Sequence, residues 1–366
     1  MKINSKFKIN DYAKSMFYFE KLNDSWIKLC KKYLKYIFKN KIKNAVVVDY
    51  AFGNGNWSVA FSKLGAKEII SVDDSIHNVQ KFKRYLKKNK ISNIKVLKGN
   101  ILDINLKNQV DIFWVYGIFH HIQNTKKLIT NLKKYWKNEN SVALIYAYNK
   151  YSLRQLVVDF SRKFLRYKNF LEFKKNSYQF NHYARMRARD DMVVNFIKWY
   201  SKDELNKSLI KMKLYGFRFI KSFEKFLGRK NFEFDPHQLL VSKRKISKLN
   251  IKKENYDFDL KIIECLLKLI QKKIKNKKEL NQISISLLNS HFNGNYSNYS
   301  DNLSRISLFL FYIIKSKKLN GSTKFLKDIL NVLNLIHQNK KINSQHLKFI
   351  KRSVLLSNLY QKKIRI

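Results

Sequence analysis

The residue types best suited to chemistry stand in two stretches of the chain. The first is the apolar run Val46-Val47-Val48, which ends in Asp49 and continues Tyr50-Ala51-Phe52-Gly53-Asn54-Gly55-Asn56-Trp57. Glycine lets a backbone turn sharply and approach a ligand with no Cβ in the way. The turn opens into a helix, and helix N-terminal amides suit a carboxylate or phosphate. Asp49 at the strand end can accept from an ammonium or attract a cation. The second stretch runs from Asp111 to Ile122 and closes on Tyr116-Gly117-Ile118-Phe119-His120-His121-Ile122. Imidazoles titrate near neutral pH, so either histidine is a candidate general base. Between the two stretches lie Asp73-Asp74-Ser75 and Gly99-Asn100-Ile101.

The surrounding pattern explains how these residues are positioned. Strand-like runs at 45–49, 68–73, 95–98, 110–115 and 141–148 alternate with helical patterns at 56–64, 76–89 and 125–136. That alternation predicts a parallel α/β sheet with right-handed crossovers. A helical pattern precedes it at 11–40, where Trp26, Ile27, Cys30, Tyr33, Leu34 and Ile37 recur at three-to-four spacing. After the fifth strand, residues 149–200 break the rhythm with a helix at 151–167 and an aromatic, arginine-rich remainder. A helix at 201–214 follows, then strand-like runs at 218–223 and 238–242. Two late strands with no helix between them predict an antiparallel pair. Beyond 247 the periodicity is helical throughout: 260–274, 279–288, 303–314, 324–335 and 345–359. The reading is three parts: an N-terminal helical cap (1–44), a Rossmann-like α/β domain (45–246) with a lid insertion (149–200), and an all-helical accessory domain (247–366).

A glycine turn after a strand is not specific. A dinucleotide-binding dehydrogenase can present Gly53-Asn54-Gly55, with Asp73 about 20 residues on to hold a ribose hydroxyl. The complete set of motifs, however, resembles class I S-adenosylmethionine-dependent methyltransferases of the small-molecule or lipid type. Asp49, Gly53 and Gly55 match the first motif of that family, with Ala51 in place of its first glycine. Ile69-Ile70-Ser71-Val72-Asp73-Asp74-Ser75 resembles the second. Gly99-Asn100-Ile101 resembles the segment after strand three, with Asn100 in place of an acid. Gly117-Ile118-Phe119-His120-His121 matches the glycine, two apolar residues and paired histidines that often end strand four. Dehydrogenases do not normally show that last piece.

The resemblance implies a seven-stranded, mostly parallel sheet closed by an antiparallel pair, with S-adenosylmethionine as cofactor. By the same resemblance, Asp49, Ala51, Gly53 and Gly55 hold the methionine part. Asp73, with Asp74 beside it, bonds the ribose hydroxyls. Asn100 accepts from the adenine amino group, and Ile101 lies against the ring. Tyr116, His120 and His121 stand near the transferred methyl, with His120 favoured as the base. The competing structural roles are plain. Ser75 can cap the next helix, one histidine can pack in the core, and the other can cap the helix that follows.

The lid insertion is where an acceptor would be recognised. It carries Tyr178, His182, Tyr183, Arg185, Arg187, Arg189, Asp190 and Asp191; His182, Tyr183 and Arg185 are the candidate substrate residues. The expected acceptor is a small or lipid-like metabolite. The formal net charge of +50, from 76 Lys and Arg against 26 Asp and Glu, adds RNA methylation as an alternative and an anionic membrane surface as a possible partner. An abundance of Lys, Asn and Ile with a single Pro also fits compositional bias. Acidic residues are too few for bias alone, yet the lysines are spread evenly and form no arginine-rich block. A third reading is a non-catalytic binding protein on the same scaffold.

Composition sets further bounds. Hydrophobic content of 45% supplies a sizeable core and excludes a disordered chain. No apolar run approaches the roughly 18 residues of a membrane span, and residues 1–11 carry no apolar signal core. The expected location is cytoplasmic. The two cysteines, Cys30 and Cys265, each sit in a helical pattern and read as core thiols, and no His, Cys, Asp or Glu cluster has metal-ligand spacing. No metal is expected.

Overall fold

The computed structural model describes residues 22–165, 167, 170–180, 191–228, 236–246, 249–255, 260–261, 263–264, 267–268, 271 and 276–291. Its centre is a seven-stranded sheet of order β3-β2-β1-β4-β5-β7-β6. The strands are β1 (Val46–Tyr50), β2 (Glu68–Asp73), β3 (Ile94–Lys98), β4 (Ile112–Val115), β5 (Val142–Ala147), β6 (Tyr215–Ile220) and β7 (His237–Ser242). The first five pair in parallel. β7 runs antiparallel to both β5 and β6. This is the expected Rossmann-like architecture, with the strand order reversing between β1 and β4.

The central strands are apolar on both faces because helices cover both. Successive strand residues point to opposite faces. Val47, Ile112, Trp114 and Leu144 therefore join one core cluster, while Val48, Phe113, Val115 and Ile145 join the other. The first cluster is covered by α1 (Asp24–Phe38), α2 (Asn56–Ser62) and α3 (Ile76–Lys88), through Ile27, Cys30, Leu34, Val59, Phe61, Val79 and Phe82. The second is covered by α4 (Thr125–Lys134) and α7 (Lys202–Lys211), through Leu128, Ile129, Leu132, Leu205 and Leu209. Between α4 and α7 in the chain come α5 (Leu153–Phe164) and α6 (Phe170–Asn176).

Polar side chains fix where these helices begin. Asn23, Ser75, Asn124 and Ser152 each accept from a backbone N–H three residues on, and Ser201 forms a full capping box with Glu204. Ser75 is thus a cap, as expected. The cap of α4 is Asn124; the two histidines lie before it in a short 3-10 turn, Phe119–His121.

The late strands differ from the sequence expectation. β6 starts at Tyr215 and stops at Ile220, rather than spanning 218–223. Its register against β7, Tyr215 opposite Ser242 and Ile220 opposite Gln238, sets these limits. Phe223 instead opens a short helix, α8 (Phe223–Phe226), because the Ser222 side chain accepts from the Lys225 N–H. Cys30 is buried as expected, and Cys265 lies outside the described residues. Past residue 247, α9 (Lys277–His291) packs against α5. The helices expected at 303–314, 324–335 and 345–359 lie outside the described residues.

Candidate active site

The glycine turn joins β1 to α2 at the carboxyl edge of the sheet. Three residues there hold positive φ: Ala51 (55°), Gly53 (58°) and Gly55 (86°). Ala51 therefore occupies the backbone conformation that a glycine would adopt, so the loop keeps its shape despite the substitution. A Cβ on Gly55 would overlap the Phe82 ring, which fixes that position as glycine on space as well as on φ. The Ala51 N–H donates to the Val72 carbonyl at 2.7 Å, tying the turn to β2.

Two carboxylates flank this turn. Asp49 on β1 is buried and accepts from Ser58 Oγ at 2.6 Å; Ser58 in turn accepts from Ser71 Oγ at 2.8 Å. Burial pushes the Asp49 carboxyl up to about 7, the Ser58 bond restrains that rise, and the nearby Asp73 adds to it. Asp73 ends β2. Its Oδ2 accepts from Gly53 N at 3.1 Å and Asn78 Nδ2 at 3.2 Å, and its Oδ1 accepts from Ser75 N at 2.9 Å. Burial raises its pKa as well, against the pull of those bonds. Asp74 beside it is exposed. Asn56, at the start of α2, is buried, and among the described residues neither of its amide atoms has a hydrogen-bond partner. Buried amides are rarely left so. Nearby, the exposed Asn100 folds its Oδ1 back onto Leu102 N at 2.9 Å, beside a buried Ile101.

These residues fit a ligand with a cationic methionine end and a ribose. Two mutually repelling buried carboxylates would be relieved by a positive charge, and Asp73 Oδ1 carries one bond where a carboxylate oxygen accepts about two. The unpartnered Asn56 amide offers both a donor and an acceptor to such a ligand.

Aromatic rings surround the ends of β4 and β5. The Tyr116 ring stacks on Trp114 with centroids 5.1 Å apart and meets Trp57 at 5.0 Å and Tyr146 at 4.6 Å. His120 is fully buried and stacks on Tyr148 at 3.5 Å. Neither of its ring nitrogens reaches a partner at ordinary hydrogen-bond geometry among the described residues. Burial, with help from His121 and Arg154, holds its pKa well below the usual histidine range, so it is neutral at pH 7. His121 is half-buried, with Nδ1 3.0 Å from the Phe196 carbonyl. A carbonyl only accepts, so Nδ1 carries the proton and Nε2 the lone pair of the neutral ring.

A strap, Asp191–Tyr200, lies across this edge. Lys198 N donates to the His120 carbonyl and Tyr200 N to the Tyr148 carbonyl, both at 2.9 Å. Arg154 on α5 grips Asp191 through Nε and Nη2, and donates from Nη2 to the Tyr148 hydroxyl at 3.0 Å. Arg162 donates to the carbonyls of Asp191 and Val194. Trp199 stacks on Tyr148, and its Nε1 donates to Asp159 at 2.9 Å.

The structure thus brings Asp49, Ala51, Gly53, Gly55, Asp73, Tyr116 and the paired histidines to one edge. His182, Tyr183 and Arg185 lie outside the described residues. Sequence reasoning did not single out Ser58, Asn56, Arg154, Tyr146, Tyr148 or Trp199. The two-residue spacing of Tyr146 on β5 and Tyr148 just past its end was a readable sign that both side chains share one face. Among the described residues, no three His, Cys, Asp or Glu side chains are grouped to hold a metal ion. No helix there is long and apolar enough to cross a membrane.

Residues 41–195 match the family model described as "Methyltransferase domain". That stretch is similar to methyltransferase domains, a family that uses S-adenosylmethionine as its methyl donor. Among solved structures, the chain is similar to a mitomycin 7-O-methyltransferase at 10% identity and a TM-score of 0.42, over 59% of this chain and 53% of that one. It is similar to PKMT2 from Rickettsia typhi in complex with AdoHcy, at 15% identity and 0.41, over 62% and 55%. It is also similar to the magnesium protoporphyrin IX methyltransferase from Synechocystis with bound SAH, at 11% and 0.41, over 64% and 93%. The chain spans about half the length of the first two. Likeness at this level says nothing about the acceptor.

Proposed function

We propose that this protein transfers a methyl group from S-adenosylmethionine to a small or lipid-like metabolite. The observation that carries the reading is the β1–α2 turn. It retains three left-handed residues in alternation, including one that is not glycine, between two buried carboxylates. Residues held in sparsely populated backbone conformations cluster at ligand sites, and here three fall within one turn.

In this reading the bound donor supplies an activated methyl on a sulfonium. Asp49 faces the cationic methionine end, with Ser58 holding its carboxylate in place. Asp73 bonds the ribose hydroxyls while bracing Gly53. Asn100 and Ile101 meet the adenine. Tyr116 closes the donor site at the end of β4, where its ring excludes water. His121 is the better-placed base, because it is half-buried while His120 is enclosed and burial lowers its basicity; His120 then serves as the packed support beneath Tyr148. The protein's main task is to align donor and acceptor. The helical segment past 247 is an accessory part that braces the insertion through α9.

The net charge of +50 favours a second reading, methylation of RNA. Incubation of the full chain with methyl-tritiated S-adenosylmethionine and fractionated cell extract separates the two. Label in the metabolite or lipid fraction that is lost in Asp49→Ala supports the first. Label in RNA, with strong salt dependence, replaces it. No label and no donor binding would leave a non-catalytic scaffold.

A further inference from the structure

We infer that the helical face formed by α1 and α3 docks on an anionic lipid surface. This does not depend on the methyl-transfer reading above. On α1, Lys28, Lys32 and Lys35 recur at spacings of four and three, and Lys39 follows four further on, just past the helix end. That spacing puts them on one stripe, and all of them are exposed. The opposite side of the helix, with Ile27, Cys30, Leu34 and Ile37, is buried in the first core cluster. α3 repeats the arrangement. Val79, Phe82 and Leu86 face the same cluster, while Lys83, Arg84, Lys87 and Lys88 are exposed.

The two helices belong to one face. Lys63, just past α2, pairs with Asp24 at the start of α1. On α3, burial pushes the pKa of the Tyr85 hydroxyl up, Asp24 adds to that rise and Lys63 opposes it. The three helices therefore lie side by side.

Charge is sorted between the two faces of the sheet. Around α4 and α7, Asp103, Asp111, Asp203, Glu204 and Glu254 each hold a lysine. On the α1–α3 face, Asp24 and Glu68 are held by Lys63 and Lys95, and Asp74 is exposed ahead of α3. The stripe cations of α1 and α3 thus stand in excess, and among the described residues none of them makes an ion pair. The long stretches outside the described residues are themselves rich in cations. Lys2, Lys6, Lys8, Lys14 and Lys21 outnumber Asp11 and Glu20, and the acids of residues 292–366 are Asp301 and Asp328 alone.

The kind of cation favours a bilayer over a nucleic acid. Lysine is a flexible, strongly hydrated point charge, whereas the arginine fork grips a phosphate at fixed geometry. Headgroups in a fluid leaflet offer no fixed geometry, and clusters of roughly four to eight cations on a helix suit them. Arg84 is the one arginine among these stripe cations. Tyr36 is 41% exposed on the flank of the α1 stripe, and an amphipathic ring of that type settles at headgroup level. Single-stranded RNA is instead held along a groove by several stacked rings. The exposed large apolar side chains of α1 and α3 are Tyr36 and Ile76.

The full chain is sedimented with vesicles of neutral phosphatidylcholine, and with vesicles in which part of that lipid is replaced by phosphatidylserine. Binding is expected to the anionic vesicles only, and to fall as salt is raised. A lysine near the surface contributes about fivefold. Lys28→Gln/Lys32→Gln/Lys35→Gln/Lys39→Gln is therefore expected to weaken binding by about a hundredfold or more. Lys126→Gln/Lys134→Gln/Lys211→Gln/Lys213→Gln removes the same charge around α4 and α7 and is expected to weaken it by less than about tenfold. Equal losses in the two variants would assign the binding to net charge and overturn the inference. Equal binding to neutral vesicles, or none to either kind, overturns it as well. Should the α1 variant fail to fold by circular dichroism, Lys83→Gln/Lys87→Gln against Lys126→Gln/Lys134→Gln makes the same comparison. Transfer RNA is added to the anionic vesicles at equal phosphate concentration. Wild-type chain that stays on the vesicles supports the lipid surface, and chain that leaves them for the RNA assigns the face to nucleic acid and overturns it.

Discussion

Arg154 holds Asp191 with two parallel hydrogen bonds of 2.8 Å, from Nε and Nη2, and both side chains are buried. The pair fastens the strap to α5. A buried ion pair gains little over apolar packing, but removing one partner strands the other charge. Asp191→Asn is therefore expected to destabilise the protein by about 3–5 kcal/mol. The double variant Arg154→Met/Asp191→Leu is expected to recover most of that loss. Denaturant unfolding of wild type, single and double variants checks both statements, and equal losses in single and double would contradict them.

Asp49 gives the protein a pH signature. Its carboxyl, ordinarily titrating at 3.8, is pushed up to about 7 in the folded chain. Between those values the folded chain holds a proton that the unfolded chain has lost. Its contribution to stability is thus full below about 4 and declines as pH rises toward 7. Asp49→Asn removes this slope, so the stability difference between variant and wild type should grow in the variant's favour over that range. A cationic donor needs the ionised carboxylate. Donor affinity in wild type should rise from pH 6 to pH 8 and level off, and Asp49→Asn should flatten the curve. Calorimetric binding across that range measures it.

The sheet was legible because its signals are local. β2 was read at its observed limits, since Ile69, Ile70 and Val72 stand between the acids Glu68 and Asp73. The turn, Asp73 and the paired histidines were legible because glycines and a fixed spacing mark them. β6 was misplaced because its register is set by β7, a partner more than 15 residues away in the chain, and Phe223 looks equally suited to strand and helix. The strap's anchoring was not legible because Asp191 and Arg154 are 37 residues apart; nothing local says that they meet. His120 and His121 cannot be told apart by sequence, since both are imidazoles on one turn. Only burial separates them.

The turn makes its own prediction. Ala51 sits at φ 55°, where a Cβ crowds the backbone at a cost of about 1–2 kcal/mol. Glycine would remove that strain but adds freedom to the unfolded chain, offsetting roughly 0.4–1 kcal/mol of it. Ala51→Gly is expected to be stabilising by about 0.5–1 kcal/mol, with donor binding kept. Gly55→Ala meets both a φ of 86° and the Phe82 ring. It should cost about 2 kcal/mol or more and weaken donor binding. Thermal unfolding with and without S-adenosylmethionine distinguishes the two.

The histidines can be separated by kinetics. His120 has no route to solvent and stacks against Tyr148, so His120→Ala opens a cavity beneath the strap. Its expected signature is a loss of roughly 2–4 kcal/mol of stability, with a raised KM as the strap loosens. His121→Gln keeps a donor toward the Phe196 carbonyl but removes the basic nitrogen. Its expected signature is a fold as stable as wild type within about 1 kcal/mol and a kcat lower by roughly a hundredfold or more. The variant should also lose the rise in rate with pH that an imidazole base confers. Raising the pH, which removes a proton from an acidic acceptor without help, should then narrow the gap between variant and wild type. A gap that stays constant with pH would mean that His121 only anchors the strap. A collapse of kcat in a stable His120 variant would move the base to the buried ring.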